Sequence, residues 1–193
     1  MDARTLTILG IAGSLRRASL NRGLIRAAVE LAPAGLVVTG YDLGDIPMYN
    51  GDVEALGDPE PVSAFKHAIA AADALLIATP EYNHCVPGML KNAIDWASRP
   101  ARSSVLTGKP VAIMGASPGR GGTARAQAQL RDGLAYTNGF VLPLPEVLVA
   151  QATDKFDADG DLIDEATGDE IRDLLVALAA WTRRLARTEQ LAS

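Results

Sequence analysis

The chain of 193 residues has one cysteine, Cys85, and two histidines, His67 and His84. A single thiol allows no intrachain disulfide and no cysteine cage for a metal. Two histidines without a cluster of further ligands argue against a zinc-type centre. No apolar run approaches the roughly 18 residues of a membrane span. The first residues, MDARTLTILGIAGSLRRAS, carry an acid at position 2. They lack the charged front and cleavage site of a secretory leader. Together these absences lead us to expect a cytoplasmic protein. The net charge is −5 and no long Lys/Arg block occurs, which argues against nucleic-acid binding, because that needs clustered cations.

What is present is ordinary globular material, with 48% hydrophobic and 21% charged residues. That is enough apolar surface to offset the entropy of ordering the chain, and the length suits one domain, 1–193. Short apolar runs alternate with amphipathic stretches. Strands are expected at LTILGIAG (6–13), LVVTGYDL (36–43), ALLIATP (74–80), PVAIMGA (110–116) and FVLPLP (140–145). Between and after them, helical spacing joins Leu24, Ile25, Ala28, Leu31 and Ala32; then Val62, Phe65, Ile69 and Ala72. Further on it joins Leu90, Ala93, Ile94 and Ala97; then Ala126, Leu130 and Leu134; and last Ile171, Leu174, Leu175, Leu178, Trp181 and Leu185. The segment 44–61 reads as a polar connection punctuated by Gly and Pro. Pro143 and Pro145 cannot donate to a ladder, so the fifth strand belongs at an edge. Strands buried on both faces and alternating with helices predict a doubly wound α/β fold: a five-stranded parallel sheet of order 2-1-3-4-5 with helices on both faces. Ligands of such sheets lie beyond the carboxyl ends of the strands, at the switch point between strands 1 and 3.

Three loops follow strands 1, 3 and 4. The first, Gly13-Ser14-Leu15-Arg16-Arg17-Ala18-Ser19-Leu20-Asn21, offers hydroxyls, an amide, two guanidinium groups and a helix N-terminus. That combination suits a phosphate; the alternative is a solvated segment in which Ser19 or Asn21 merely caps the helix. It is neither a Walker A loop nor a G-x-G-x-x-G fingerprint. The second, from Pro80-Glu81-Tyr82-Asn83-His84-Cys85 to Gly88, is stiffened by two prolines. It can present backbone groups and the Tyr82 ring to a planar heterocycle, or simply connect strand to helix. The third, Ser117-Pro118-Gly119-Arg120-Gly121-Gly122-Thr123, has glycines that permit unusual backbone angles and close approach of a ligand; the alternative is a flexible turn. Cys85 is expected as a small buried side chain, the alternative being a reactive thiol, and His84 as an exposed loop residue, the alternative being a proton carrier. His67 is expected on a helix surface. Asp157-x-Asp159-Gly160 has the look of a calcium loop, but the register set by Gly160 puts Lys155 and Ala166 where oxygen ligands are needed, so calcium is not expected.

GSLRRASLN, PEYNHCVPGMLKNAIDWASRP and SPGRGGTARAQAQLR resemble, in order and spacing, the three flavin-site segments of the NAD(P)H-dependent FMN reductase family. This is the flavodoxin-like group that includes bacterial quinone, azo-dye and chromate reductases. FDADGDLIDE (156–165) resembles the family's tail. The resemblance implies FMN as cofactor and NAD(P)H as co-substrate. It assigns Ser14, Arg16, Ser19 and Asn21 to the FMN phosphate; Pro80, Glu81, Tyr82 and Asn83 to the isoalloxazine edge; and Ser117 with the following glycines, Gly119 among them, to its pyrimidine end. Arg120 is counted with the cofactor-binding residues, and it, Arg16 or Arg17 could equally meet a nicotinamide phosphate or stay solvated. No side chain need act as acid or base, since the cofactor carries the hydride chemistry. The resemblance further implies a quinone, flavin, azo dye or metal oxyanion as acceptor. It also implies a homodimer or homotetramer built on the third and fourth helices (Leu90–Trp96 and Ala124–Leu134). One cleft serving two substrates predicts ping-pong kinetics. Two other readings stay open: a flavodoxin-type electron carrier without nicotinamide turnover, and a phosphate-ligand binding module without redox function. Arg16, Arg17 and Arg120 in the site loops favour the enzyme over the carrier.

Overall fold

The computed structural model describes residues 4–101 and 103–192. In chain order the elements are β1 (Leu6–Ala12), α1 (Leu20–Glu30), β2 (Leu36–Tyr41), α2 (Gly51–Glu54), α3 (Glu60–Ala71) and β3 (Ala74–Ala78). They continue with α4 (Gly88–Ala97), β4 (Pro110–Ala116), α5 (Ala124–Tyr136), β5 (Phe140–Val141), β6 (Val147–Val149) and α6 (Glu165–Ala192). All strand pairs are parallel, in the order β2-β1-β3-β4-β5, with β6 also on β4. Every residue of β3 and β4 is buried. That is why these runs carry no polar alternation: a central parallel strand is covered on both faces. In β1 the period of two is visible. Leu6 and Ile8 join Leu24, Ala28, Ile171 and Leu175 on one face, while Leu9 and Ile11 join Phe65, Ile69, Leu90 and Leu130 on the other.

β1 is flanked by β2 and β3. The helix after β1 packs on one face and the helix after β3 on the other. Their connecting loops therefore diverge and leave a crevice at the carboxyl end of the sheet.

The fifth strand differs from the expectation of one run over 140–145. Phe140 and Val141 pair with Pro110 and Val111 at the start of β4. The chain then leaves the sheet through the two prolines and returns as β6, which pairs with Met114–Ala116 at the end of β4. Pro143 and Pro145 have no N–H to give the ladder, so the edge is split into two short pieces.

The 44–61 connection also carries more structure than expected. α2 forms in it, with the Asn50 side chain accepting from the Asp52 N–H at 2.9 Å. The segment is strapped to α4: Asn92 Nδ2 and Trp96 Nε1 donate to the Pro47 carbonyl at 2.9 and 2.8 Å. The Tyr49 N–H in turn donates to Asn92 Oδ1 at 2.7 Å.

Candidate functional site

The first loop leaves β1 with the Gly13 N–H bonded to the Ala78 carbonyl at 2.8 Å. A side chain on Gly13 would meet Leu90 and Pro80, each at 3.1 Å, so glycine lets the first and second loops lie against each other. Ser14 is buried, its hydroxyl accepting only a long 3.4 Å bond from the Arg16 N–H. Ser19, also buried, caps α1 through the Arg22 N–H at 3.4 Å. The N–H groups of Leu20 and Asn21, in the first turn, have no intrahelical acceptor and point out of the helix end. Arg22 pairs with Asp42 at 2.9 Å and Arg26 pairs with Asp161. By contrast, Arg16, Arg17 and Arg120 are exposed and, among the described residues, enter no ion pair.

Asn21 does something the sequence did not reveal. Its buried amide donates to the Ala116 carbonyl and accepts from the Ala116 N–H, both at 2.9 Å. Its side chain therefore locks the start of α1 to the end of β4, bringing the first and third loops together, and its share in an anion site rests on its backbone N–H.

A brace from the far end of the chain presses on the same loop. In 156–162, Phe156 and Leu162 form an antiparallel bridge. Asp157 Oδ1 accepts from the N–H groups of Asp159 and Asp161 at 3.0 and 2.8 Å. Gly160, at φ +81°, lies against the Ala18 backbone, and its carbonyl occupies the space a side chain on Gly23 would need. The Asp-rich segment with the look of a calcium loop is thus a turn that spends its Asp157 carboxylate on its own backbone.

The second loop has Pro80 buried and Tyr82, Asn83, His84 and Cys85 exposed. Tyr82 and Cys85 exchange backbone hydrogen bonds of 3.2 and 2.9 Å. Asn83 and His84 between them have φ of 52° and 62°, the backbone of a type I′ turn. That turn corrects the expectation for Cys85: it lies exposed at the turn's exit rather than buried. Gln129 of α5 grips the turn, with the Val86 N–H donating to Oε1 at 3.2 Å and Nε2 donating to the His84 carbonyl at 3.1 Å. Glu81 also reaches α5. Its Oε2 accepts from the N–H groups of Arg125 and Ala126 at 2.9 and 3.1 Å. Neither tether was legible in the sequence, since the partners lie more than 40 residues apart.

The third loop starts with the Ser117 N–H on the Val149 carbonyl at 3.0 Å. The Ser117 hydroxyl accepts from the Gly119 N–H at 3.1 Å. Gly122, at φ +55°, passes so close to Leu148 that a side chain would meet its backbone at 3.2 Å.

Ser14, Arg16, Ser19, Leu20, Asn21, Pro80, Glu81, Tyr82, Ala116, Ser117 and Pro118 line one cleft at the carboxyl ends of β1, β3 and β4. Asn83, Gly119 and Arg120 lie outside this lining. A larger recess of about 370 Å³ between α4 and α5 is lined by Val86, Ile94, Leu130 and Tyr136 together with Ser98, Gln129, Thr137 and the Lys91–Asp95 pair. Most of its polar groups are spent locally: Ser98 donates to the Asp95 carbonyl, Thr137 to the Leu134 carbonyl, and the Gln129 amide holds the second loop. Among the described residues no three His, Cys, Asp or Glu side chains could share a metal.

The pattern of the family described as NADPH-dependent FMN reductase matches residues 6–154. The chain belongs to this family. It is 49% identical over 180 residues to a Pseudomonas aeruginosa protein named NAD(P)H-dependent FMN reductase, covering 93% of this chain and 97% of that one. It is 44% identical over 178 residues to a Burkholderia protein named 2-hydroxy-1,4-benzoquinone reductase, covering 92% and 97%. Among solved structures, the flavoenzyme NAD(P)H:(acceptor) oxidoreductase FerB of Paracoccus denitrificans superposes with a TM-score of 0.83 at 39% identity, covering 93% of this chain and 98% of that one. The fold is flavodoxin-like.

The cleft fits FMN. A phosphate needs cations and free N–H groups, and the first loop of this family member presents unpaired guanidinium groups beside helix-end donors and buried hydroxyls. A planar ring needs a wall with backbone donors, and Pro80, Glu81 and Tyr82 of the second loop and Ser117 and Pro118 of the third converge there.

Proposed function

We propose that this protein is an FMN-dependent NAD(P)H oxidoreductase that reduces a quinone-type acceptor. The observation that carries the reading is the meeting of the three loops in one cleft beside guanidinium groups that no carboxylate neutralises. Ser14, Arg16, Ser19 and the N–H groups of Leu20 and Asn21 would hold the phosphate. The backbone of Pro80, Glu81, Tyr82 and Asn83 would face the ring edge, Ser117 and Gly119 its pyrimidine end, and Arg120 the bound cofactor or a nicotinamide phosphate. When bound, FMN accepts a hydride from NAD(P)H and passes the electrons on. The protein supplies the anchoring cations, the donors around the ring and a single open face to which substrates come in turn. The names of the relatives support a quinone as acceptor, and the exposed arginines favour a dinucleotide substrate over the acidic surroundings typical of an electron carrier. A second copy of the chain would complete the molecule through α4 and α5, whose outer faces frame the 370 Å³ recess.

Because one cleft serves both substrates, NAD(P)H and quinone take turns. Double-reciprocal plots at several quinone concentrations are expected to be parallel. Anaerobic NAD(P)H alone is expected to bleach the yellow protein, and quinone to restore its colour. Intersecting lines, or bleaching only with acceptor present, overturn the single-cleft scheme; a colourless protein that takes up no FMN overturns the cofactor assignment.

A further inference from the structure

α5 begins without a cap of its own. At its N-cap position, Thr123 makes no capping bond with its side chain. Its hydroxyl is instead turned inward, accepting from Gln127 Nε2 at 3.0 Å, and fills the space beside Gly115, where any side chain would meet it at 2.1 Å. The orphan N–H groups of the first turn are served from outside, by Glu81. Its side chain is only 8% exposed and both oxygens are engaged: Oε2 with the N–H groups of Arg125 and Ala126, and Oε1 with Arg125 Nη1 at 3.6 Å. A carboxylate at a helix N-terminus is favoured both by these charge-assisted bonds and by the helix dipole.

The position of this cap matters more than its strength. Glu81 sits between Pro80 and Tyr82 in the second loop, while Thr123 closes the third. The third loop is pinned at its start by Asn21 on Ala116 and by the Ser117 N–H on Val149. At its end the only pin from the second loop's ring-facing stretch, among the described residues, is the Glu81 carboxylate.

We propose that Glu81 is a positioning residue: by capping α5 across the cleft it sets the spacing between the second and third loops, and so the width of the slot that receives the isoalloxazine ring. This rests on the FMN reading above and changes the expected role of Glu81, whose carboxylate serves the helix and whose backbone alone faces the ring.

The test uses the full chain as wild type, Glu81→Gln, Glu81→Ala, and Glu81→Ala combined with Ala124→Asp. The last returns an acid to the exposed first turn of α5 without a bridge to the second loop. Amide exchange is measured on the apoproteins, and thermal midpoint and FMN titration follow on the same samples. For Glu81→Ala, exchange at Arg125, Ala126 and 117–123 is expected to rise about tenfold. FMN affinity is expected to fall about fivefold or more, with Glu81→Gln intermediate. The double variant is expected to regain the thermal midpoint but not the affinity. Recovery of both means that Glu81 contributes stability alone and overturns the proposal. So does an unchanged exchange pattern, or a shift in the bound flavin's spectrum and potential without faster exchange, which would place the carboxylate on the ring. If wild type takes up no FMN, the proposed function and the slot both fall, while exchange at Arg125 and Ala126 still reports whether the cap exists.

Discussion

Arg16 stands exposed beside the buried hydroxyls of Ser14 and Ser19 with no carboxylate to neutralise it. If it holds the phosphate, Arg16→Ala weakens FMN binding by about 1.5–3 kcal/mol, the worth of a hydrogen bond to a charged group. Titration of the apoprotein with FMN checks this, and an unchanged affinity removes Arg16 from the anion site. That the three loops would meet was legible, because each follows a buried parallel strand at the carboxyl end of the sheet. Partnerships were not. Nothing local to Asn21 or Glu81 announces that one is spent on Ala116 and the other on α5, since side chains find such partners only once the sheet has brought distant loops together. Cys85 misled for the opposite reason: thiols are usually buried, and the type I′ turn that exposes it uses Asn and His where glycine is the usual signal.

At the scale of elements, strands and helices were readable from periodicity and their order from alternation. The split of the edge strand and the short α2 were not, because two- to four-residue pieces leave no period to detect. The strap around α2 has a consequence in acid. Glu54 accepts from the Tyr49 hydroxyl at 2.7 Å and from Arg99 Nε at 3.0 Å. The Tyr49 bond first, and Arg99 with it, holds its carboxyl below the usual value of 4.5. A folded-state pKa below the unfolded one stabilises the fold above the unfolded value and ceases to do so as pH falls through the folded one. Glu54→Gln is therefore expected to be less stable than wild type at neutral pH, with the gap closing below about pH 4; urea midpoints across pH 3–7 measure it.

The brace gives a sharper test. A methyl group on Gly23 would sit 2.0 Å from the Gly160 carbonyl and 3.1 Å from the Phe156 ring. Gly23→Ala is expected to cost about 1–3 kcal/mol of overpacking and to weaken FMN binding by displacing Ala18. Gly168→Ala, also helical but with only Leu31 Cδ1 at 3.5 Å, is expected to gain about 0.5–1 kcal/mol. Urea unfolding of both separates steric conflict from helix propensity.

For the molecule as a whole, the α4–α5 face places the near fully exposed Tyr136 beside the recess between these helices. Covering such a face is expected to make the working species at least a dimer, read as a sedimentation mass near twice the 20.2 kDa of the chain. A monomer at concentrations that sustain turnover refutes it. The pressure of Gly160 on Ala18 bears on how the protein is made. The loop that would receive the phosphate leaves the ribosome early, but the turn that packs against it is synthesised about 140 residues later. At roughly 5–20 residues per second that is a delay of about 7–28 s. Through that interval the nascent chain carries every cation of the first loop in an unbraced form. Retention of FMN is then expected only after this turn has been made, and pulse-labelled chains assayed for bound flavin during and after synthesis check it.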